Sequence, residues 1–326
     1  MRLLKHLGTP TDMEARHDSV LMKEVLETLD VQSNDTVIDA TLGGAGHFGA
    51  LLSSLGEGGT IIGIDADPAA VERAREVYAL DRRPERPVAH LVNENFRNLA
   101  HILERLGIGQ ANKMLYDLGW SGYQIASPRG FSFQRDEPLL MTYGESGETA
   151  ADIVNSSTEE ELSDIIFTYG EERFARGIAR AIVAARSKER ILTTDALVEA
   201  IKAGTPHWYH ERKIHPATKT FQALRIAAND ELGSLREGLA SALSALAPSG
   251  RLAVISFHSI EDRMVKNILR DAMQEGFGTV VPKKPIVPTR AEILTNRRAR
   301  SAKLRVFERS AVSTPVDLFD TTLSYA

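Results

Sequence analysis

The stretch Thr36 to His47, TVIDATLGGAGH, constrains this chain most, because a short apolar strand runs straight into a glycine-rich turn. Val37 and Ile38 read as buried strand, Asp39 closes it, and Gly43, Gly44, Gly46 and Gly49 follow. Glycines here let the backbone bend sharply into a helix and let a bound group approach the main chain closely. About twenty residues on, IIGIDAD (61–67) supplies a second apolar strand ending in Asp65, where such folds commonly grip a ribose hydroxyl pair. A nucleotide-like cofactor is expected at this end of the chain.

Strand and helix patterns then alternate. Strands are expected near 36–41, 60–65, 88–92 and 113–118, and helices near 19–29, 46–55, 68–79 and 97–106, behind a polar arm over 1–20. Asp67-Pro68 starts one helix, with proline where its missing N–H costs nothing. The alternation implies an α/β fold, a parallel sheet covered by helices.

The rhythm breaks after Leu118. Residues 119–150 are rich in Gly, Ser, Pro and aromatics, as expected of a functional loop rather than a packed element. From 151 to 204 the pattern is helical. Ser157 with Glu160 resembles a capping box, and Phe174, Ile178, Ala181, Ile182 and Ala185 give one helix an apolar face. A long helical pattern over 218–246 stops at Pro248-Ser249-Gly250. RLAVISF (251–257) is then a further buried strand, a helix opens at Ser259, and AKLRVFE (302–308) is a last strand. The sheet therefore resumes after a helical insertion.

Composition narrows the chemistry. The 326 residues contain no cysteine, which excludes disulfides, thiolate metal sites and thiol nucleophiles. No apolar run approaches the roughly eighteen residues of a membrane span, and residues 1–20 lack a signal peptide's apolar core. A cytoplasmic protein without a membrane partner is expected. The net charge of −5 excludes a globally cationic nucleic-acid binder but leaves local patches open. His207, His210 and His215 lack a partner pattern of carboxylates or thiols, so no metal is expected.

Gly44 to Gly49 matches GxGxxG, a pattern that dehydrogenases and methyltransferases share. Asp39 shifts the balance, since a carboxylate four residues before the glycines suits the cationic methionine part of S-adenosylmethionine and gains nothing from a pyrophosphate. No second glycine turn of a dinucleotide fold appears downstream.

YDLGWSGYQ (116–124) follows the fourth strand, so Asp117 emerges at the sheet's carboxyl edge, where ligands bind in such folds. An exocyclic amine on cytosine or adenine is a poor nucleophile, because its lone pair is delocalised into the ring. Acceptors placed on its protons localise that pair and later take a proton. Asp117 with the Leu118 carbonyl suits that task, with Trp120 or Tyr123 available to stack a base. Asp117 equally suits a hydrogen bond to the cofactor. Methylation at cytosine C5 normally needs a nucleophile, usually cysteine, so nitrogen is the expected target in a chain without one.

Longer blocks carry a family resemblance. RGFSFQRDEPLLM (129–141), TYGEERFARGIARAI (168–182), HPATKTFQALRIAANDEL (215–232), GRLAVISFHSIEDRMVK (250–266) and NRRARSAKLRVFER (296–309) follow DATLGGAGH in order. Together they closely resemble the bacterial RsmH (MraW) family, which methylates N4 of a cytidine in the decoding region of small-subunit ribosomal RNA. The resemblance spans His17 to about Arg309. It implies a class I (Rossmann-like) methyltransferase sheet interrupted by an all-helical domain, here 1–125, 126–214 and 215–326. It also implies S-adenosylmethionine as cofactor and the 16S rRNA of the small ribosomal subunit as partner. The family's cofactor contacts fall on Ala45, Gly46 and His47 in the loop, on Asp65 at the ribose, on Phe96 beside the adenine, and on Asp117 and Gln124.

The chain departs from the family in two places. The family usually reads DLGVSSPQ where this chain has DLGWSGYQ (117–124), and GPLDMRM where it has EPLLMTY (137–143). An acid and an arginine are thus replaced in a loop expected near the substrate. A methyltransferase of the same fold acting on DNA or protein, or a non-catalytic ribosome assembly factor, remain the alternatives. Arg129, Arg135, Arg173, Arg176, Arg180, Arg186, Lys188 and Arg190 are interleaved with Glu171, Glu172 and Glu189, which favours a solvated, ion-paired face. Arg297, Arg298, Arg300, Lys303 and Arg305 have less acidic company, which favours RNA contact. His258 ends the fifth strand, where it can face the pocket.

Overall fold

The computed structural model describes residues 19–78, 86–119, 122–144 and 147–312. The arm at 1–18 and Trp120 lie outside the described residues. The chain divides into two compact units, residues 1–123 with 238–326, and 124–237.

The first unit holds α1 (Met22–Leu29), β1 (Thr36–Asp39), α2 (Gly46–Ser54), β2 (Thr60–Asp65), α3 (Pro68–Tyr78), β3 (Val88–Asn93), α4 (Leu99–Leu106) and β4 (Ala111–Asp117). The short α5 (Gly122–Ala126) runs across the boundary. The second unit carries α6 (Ala150–Ser156), α7 (Glu159–Gly170), α8 (Ala175–Arg186), α9 (Thr194–Ala203), α10 (His207–His210) and α11 (Thr218–Ala228). After α12 (Glu231–Ala245), which crosses back, the first unit resumes with β5 (Leu246–Ser256), α13 (Ser259–Gln274), β6 (Gly278–Val280), α14 (Arg290–Thr295) and β7 (Lys303–Arg309).

The described strands form one sheet in the order β3-β2-β1-β4-β5-β7-β6. Pairing is parallel from β3 through β5, and β7 runs antiparallel to both β5 and β6. The sheet is therefore mixed at one edge, where the alternation of elements ends and β7 follows a long connector. β6 is only three residues long, too short to leave a period-two signature in the sequence.

Strand alternation puts Val37, Ile61, Leu115, Ala253 and Ile255 in one core with Val25 and Leu29 of α1, Phe48 and Leu51 of α2, and Val71 of α3. The intervening Ile38, Ile62, Met114, Tyr116, Leu252 and Val254 are equally buried. With both strand faces covered, the strands read as continuous apolar runs, as parallel sheets do. Burying one such side chain stabilises the fold by about 1.5–3 kcal/mol.

In the second unit, Ile153, Leu162, Ile166, Ile178, Ile182, Leu197, Ile201, Phe221 and Leu224 build a separate core. The predicted capping box is displaced by one residue. Thr158 is the N-cap of α7, its side chain accepting from the Glu161 N–H while the Glu161 carboxylate accepts from the Thr158 N–H. The long helical pattern over 218–246 is broken, because Asp230 adopts a left-handed conformation (φ 44°) and Asn229 turns its side-chain amide onto the Met141 carbonyl (2.7 Å). The second compact unit runs from 124 to 237 and so includes α11. The Gln222 amide donates to the Tyr169 carbonyl (3.0 Å) and the Lys219 ammonium to that of Glu171 (2.6 Å), tying α11 to the end of α7.

The segment after α5 is more packed than its composition predicts. Phe131, Leu139 and Met141 join the core of the second unit. Glu137 is buried, accepting from the Gly130 N–H (3.0 Å), and the Arg129 guanidinium donates to the Tyr143 carbonyl (2.9 Å). Its aromatic residues are there to fill a core, which composition alone does not distinguish from a binding loop.

Candidate active site

In an open α/β sheet, ligands bind beyond the carboxyl ends of the strands, where the strand order reverses direction. Here that point lies between β1 and β4, and it brings together Asp39, the 41–47 turn, Asp65 and Asp117.

Asp39 is fully buried at the end of β1. One carboxylate oxygen accepts from the Thr41 N–H (3.2 Å), and the other has no hydrogen-bond partner among the described residues. Burial raises its pKa well above the ordinary carboxylate value; the Thr41 amide opposes this, and the charges of Asp117 and Asp65 add to it.

The turn beyond it is held from several sides. Gly43 (φ 49°) and Ala45 (φ 59°) are both left-handed, a conformation costing a non-glycine residue about 1 kcal/mol. The Tyr78 hydroxyl donates to the Ala45 carbonyl (2.7 Å), and the Leu42 N–H to the Ile64 carbonyl (3.0 Å). Gly46 opens α2, and His47 lies buried in its first turn with Nε2 3.6 Å from an Asp117 oxygen.

Asp65 organises this turn. One carboxylate oxygen accepts from the Gly43 N–H and the other from the Asp67 N–H, both at 2.8 Å. Burial pushes its pKa up to about 6, against the lowering effect of those two amides. Each oxygen retains a further acceptor site for a ligand hydroxyl. Beside it, the Asn93 side chain donates to the Asp65 carbonyl (2.9 Å) from the end of β3. Phe96 follows in a short 3-10 turn, half-buried and packed edge-on against Tyr116, with ring centroids 5.3 Å apart.

Asp117 ends β4, its N–H donating to the Thr41 hydroxyl (2.7 Å). Burial pushes the carboxyl up to about 7; the Arg298 guanidinium lowers it and Glu261 raises it. One of its oxygens is buried without a hydrogen-bond partner among the described residues. Gln124, expected at the adenosine, is buried in the second unit, where its carbonyl accepts from the Ser127 hydroxyl (2.7 Å).

Sequence reasoning missed Thr41 and Arg298. The threonine sits inside the glycine motif and was overshadowed by it. Arg298 belongs to the basic cluster expected to meet RNA, yet it is half-buried and electrostatically coupled to Asp117. Lys303 and Arg305 of that cluster pair instead with Asp262 at 2.7 and 2.8 Å, leaving Arg297 and Arg300 exposed. His258 caps α13: its Nδ1 accepts from the Glu261 N–H, and its Nε2 lies 3.0 Å from the Glu261 carboxylate.

Residues 14–310 match the model of the MraW methylase family. The chain belongs to that family. A Deinococcus radiodurans protein is 48% identical over 296 residues, covering 90% of each chain. One from Geobacter sulfurreducens is 45% identical, covering 91% of this chain and all of its own, and one from Brevibacillus brevis is 42% identical, covering 92% and 99%. Each of the three bears the name ribosomal RNA small subunit methyltransferase H. The sheet order is that of class I methyltransferases, as expected. The donor of this MraW methylase is S-adenosylmethionine. Its site fits such a group: the buried Asp39 and half-buried Asp117 carboxylates, each with one buried oxygen left open as an acceptor, suit the ammonium and sulfonium charges, and Asp65 suits the ribose. Among the described residues no helix is long and apolar enough to cross a membrane.

Proposed function

We propose that this MraW methylase transfers a methyl group to the exocyclic N4 of a cytidine in the decoding region of 16S rRNA. The observation carrying the reading is the Asp39–Asp117 pair, buried acceptors at the ends of adjacent strands beside the left-handed turn. S-adenosylmethionine supplies an electrophilic methyl sulfonium.

The chain's own residues bind and orient. Asp39 and the Ala45–His47 turn hold the methionine end, Asp65 the ribose, and Phe96 the adenine. Gln124 is assigned beside the adenosine by family likeness alone. Asp117 accepts an N–H of the target amine, sharpening its lone pair, and a pKa near 7 in the free protein lets it take the released proton. Holding amine and methyl in line supplies the rest of the acceleration. The 124–237 unit is the part assigned to the RNA.

The test is transfer of labelled methyl from S-adenosylmethionine to unmodified small ribosomal subunits, followed by nucleoside analysis. Label in N4-methylcytidine is expected. Label in another nucleoside, or none from a protein that binds the cofactor, overturns the reading and favours a different substrate or an assembly role.

A further inference from the structure

One surface of the second unit is built from aromatic rings and cations. Trp208 is 52% exposed, a large apolar ring held at the surface. Its neighbours keep it in place. Tyr209 is buried, and its hydroxyl donates to the buried Glu172 carboxylate (2.5 Å). His210 Nε2 lies 2.9 Å from the Thr205 hydroxyl, so the two residues that follow the tryptophan in α10 are both anchored.

The backbone beneath is equally fixed. A Cβ on Gly204 would lie 2.6 Å from the Gly177 carbonyl oxygen, and one on Gly177 would lie 2.5 Å from that of Gly204. Only glycines allow this approach, which seats the start of α10 against α8 and its flanking arginines. The Arg173 guanidinium sits 5.0 Å from the Trp208 ring centroid and 4.8 Å from that of Phe174. Arg212 lies 5.2 Å from the Tyr209 ring. Of the nearby acids, Glu172 is buried and accepts from the Tyr209 hydroxyl, while the exposed Glu211 lies 3.7 Å from His207.

An exposed ring on a rigid support, flanked by cations, matches what unpaired nucleotides need: a face for the base and positive charge for the phosphates. We propose that the Trp208 face is a stacking platform for an unpaired RNA base, with Arg173 and Arg212 at the adjoining phosphates. This rests on the rRNA reading and adds to it a surface that grips the strand.

The test measures binding of a labelled, protein-free 16S rRNA fragment spanning the decoding region to the whole protein and to W208A, W208F and R173A. Methyl transfer to small subunits is run alongside. W208A is expected to bind the fragment at least about fivefold more weakly, and W208F to keep most of the affinity. R173A is expected to lower the salt dependence by about one phosphate contact. Affinity for S-adenosylmethionine and the melting temperature should stay at wild-type values in W208A. Wild-type affinity of W208A for the fragment overturns the proposal. So does a W208F as weak as W208A, or a W208A defective on subunits but not on naked RNA, since the partner would then be a protein. Wild-type protein that binds the fragment but transfers no methyl overturns the substrate assignment instead and leaves the platform standing.

Discussion

Asp39 and Asp117 end neighbouring parallel strands, and each holds one carboxylate oxygen buried with no hydrogen-bond partner among the described residues. Two acids in this position are costly, because burial penalises their charge and Asp117 pushes the pKa of Asp39 higher still. In the free protein their raised pKa values let a proton relieve that cost; a bound cation relieves it in the proton's place. The donor of a methylase supplies one.

That relationship sets a pH dependence. With a pKa of about 7 in the free protein, Asp117 is protonated below that value and presents no charge to a cationic ligand. Affinity for S-adenosylmethionine should be full above pH 7 and fall as pH drops through 7 toward 5. The stability of the cofactor-free protein runs the other way: the contribution from this raised pKa is greatest below the ordinary carboxylate value and is lost as pH rises through 7. Titration calorimetry from pH 5 to 8.5 on the wild-type protein and Asp117→Asn checks the first sign, and urea unfolding of the cofactor-free proteins over the same range checks the second. The variant should show a flatter affinity profile; an identical profile would remove Asp117 from the linkage.

Asp65 and Asp117 should separate binding from turnover. Asp65 ties the Gly43 and Asp67 amides, so Asp65→Ala loses two charge-assisted hydrogen bonds within the turn as well as the ribose contact. Cofactor affinity should fall at least about tenfold, consistent with roughly 1.5–3 kcal/mol for one hydrogen bond to a charge. Asp117→Ala should raise the cofactor KM as protonation of Asp117 does, and should in addition depress kcat at saturating cofactor, which Asp65→Ala should not. Calorimetry for one and single-turnover methyl transfer for the other distinguish the two roles, and unchanged affinity in Asp65→Ala would take that residue off the ribose.

Much of this was legible in the sequence, for identifiable reasons. The strands ending in Asp39, Asp65 and Asp117 announce themselves because a parallel strand buried on both faces is a continuous apolar run closed by a polar residue. What was not legible depends on three-dimensional neighbours. Nothing local to Arg298, Lys303 or Arg305 tells one guanidinium coupled to Asp117 from two cations paired with Asp262 some forty residues away. Likewise, the break at Asn229-Asp230 is decided by an amide reaching Met141, eighty-eight residues distant.

The Asp262 pairs give a prediction about stability. Arg305 is buried on β7, and Asp262 of α13 holds its guanidinium at 2.8 Å and the Lys303 ammonium at 2.7 Å. These cations keep the Asp262 pKa below its ordinary value despite its burial. Asp262→Ala would strand a buried guanidinium, a loss of about 3–5 kcal/mol. Lys303 is more exposed and contributes little. Urea unfolding at pH 7 measures the difference. Because the folded pKa is depressed, the stabilisation is present above the ordinary carboxylate value and is lost as pH falls through the lower one. The gap between wild type and variant should therefore narrow only in strong acid.

Gly204→Ala tests how the aromatic surface is supported. The added Cβ would come within 2.6 Å of the Gly177 carbonyl oxygen and of the Ile178 Cα, and within 2.8 Å of the Ile178 N. Each of these is backbone, so no rotamer change relieves the overlap, and either α8 or the turn leading into α10 must move. Overpacking of this kind costs about 1–3 kcal/mol. The shift falls on the segment that carries Trp208, so it should disturb the ring's setting as well as the stability. Unfolding of the variant should begin at lower denaturant, and its tryptophan emission should move relative to the wild-type protein before unfolding starts. A variant with an unchanged midpoint would show that α8 and this turn do not approach as closely as the two glycines imply.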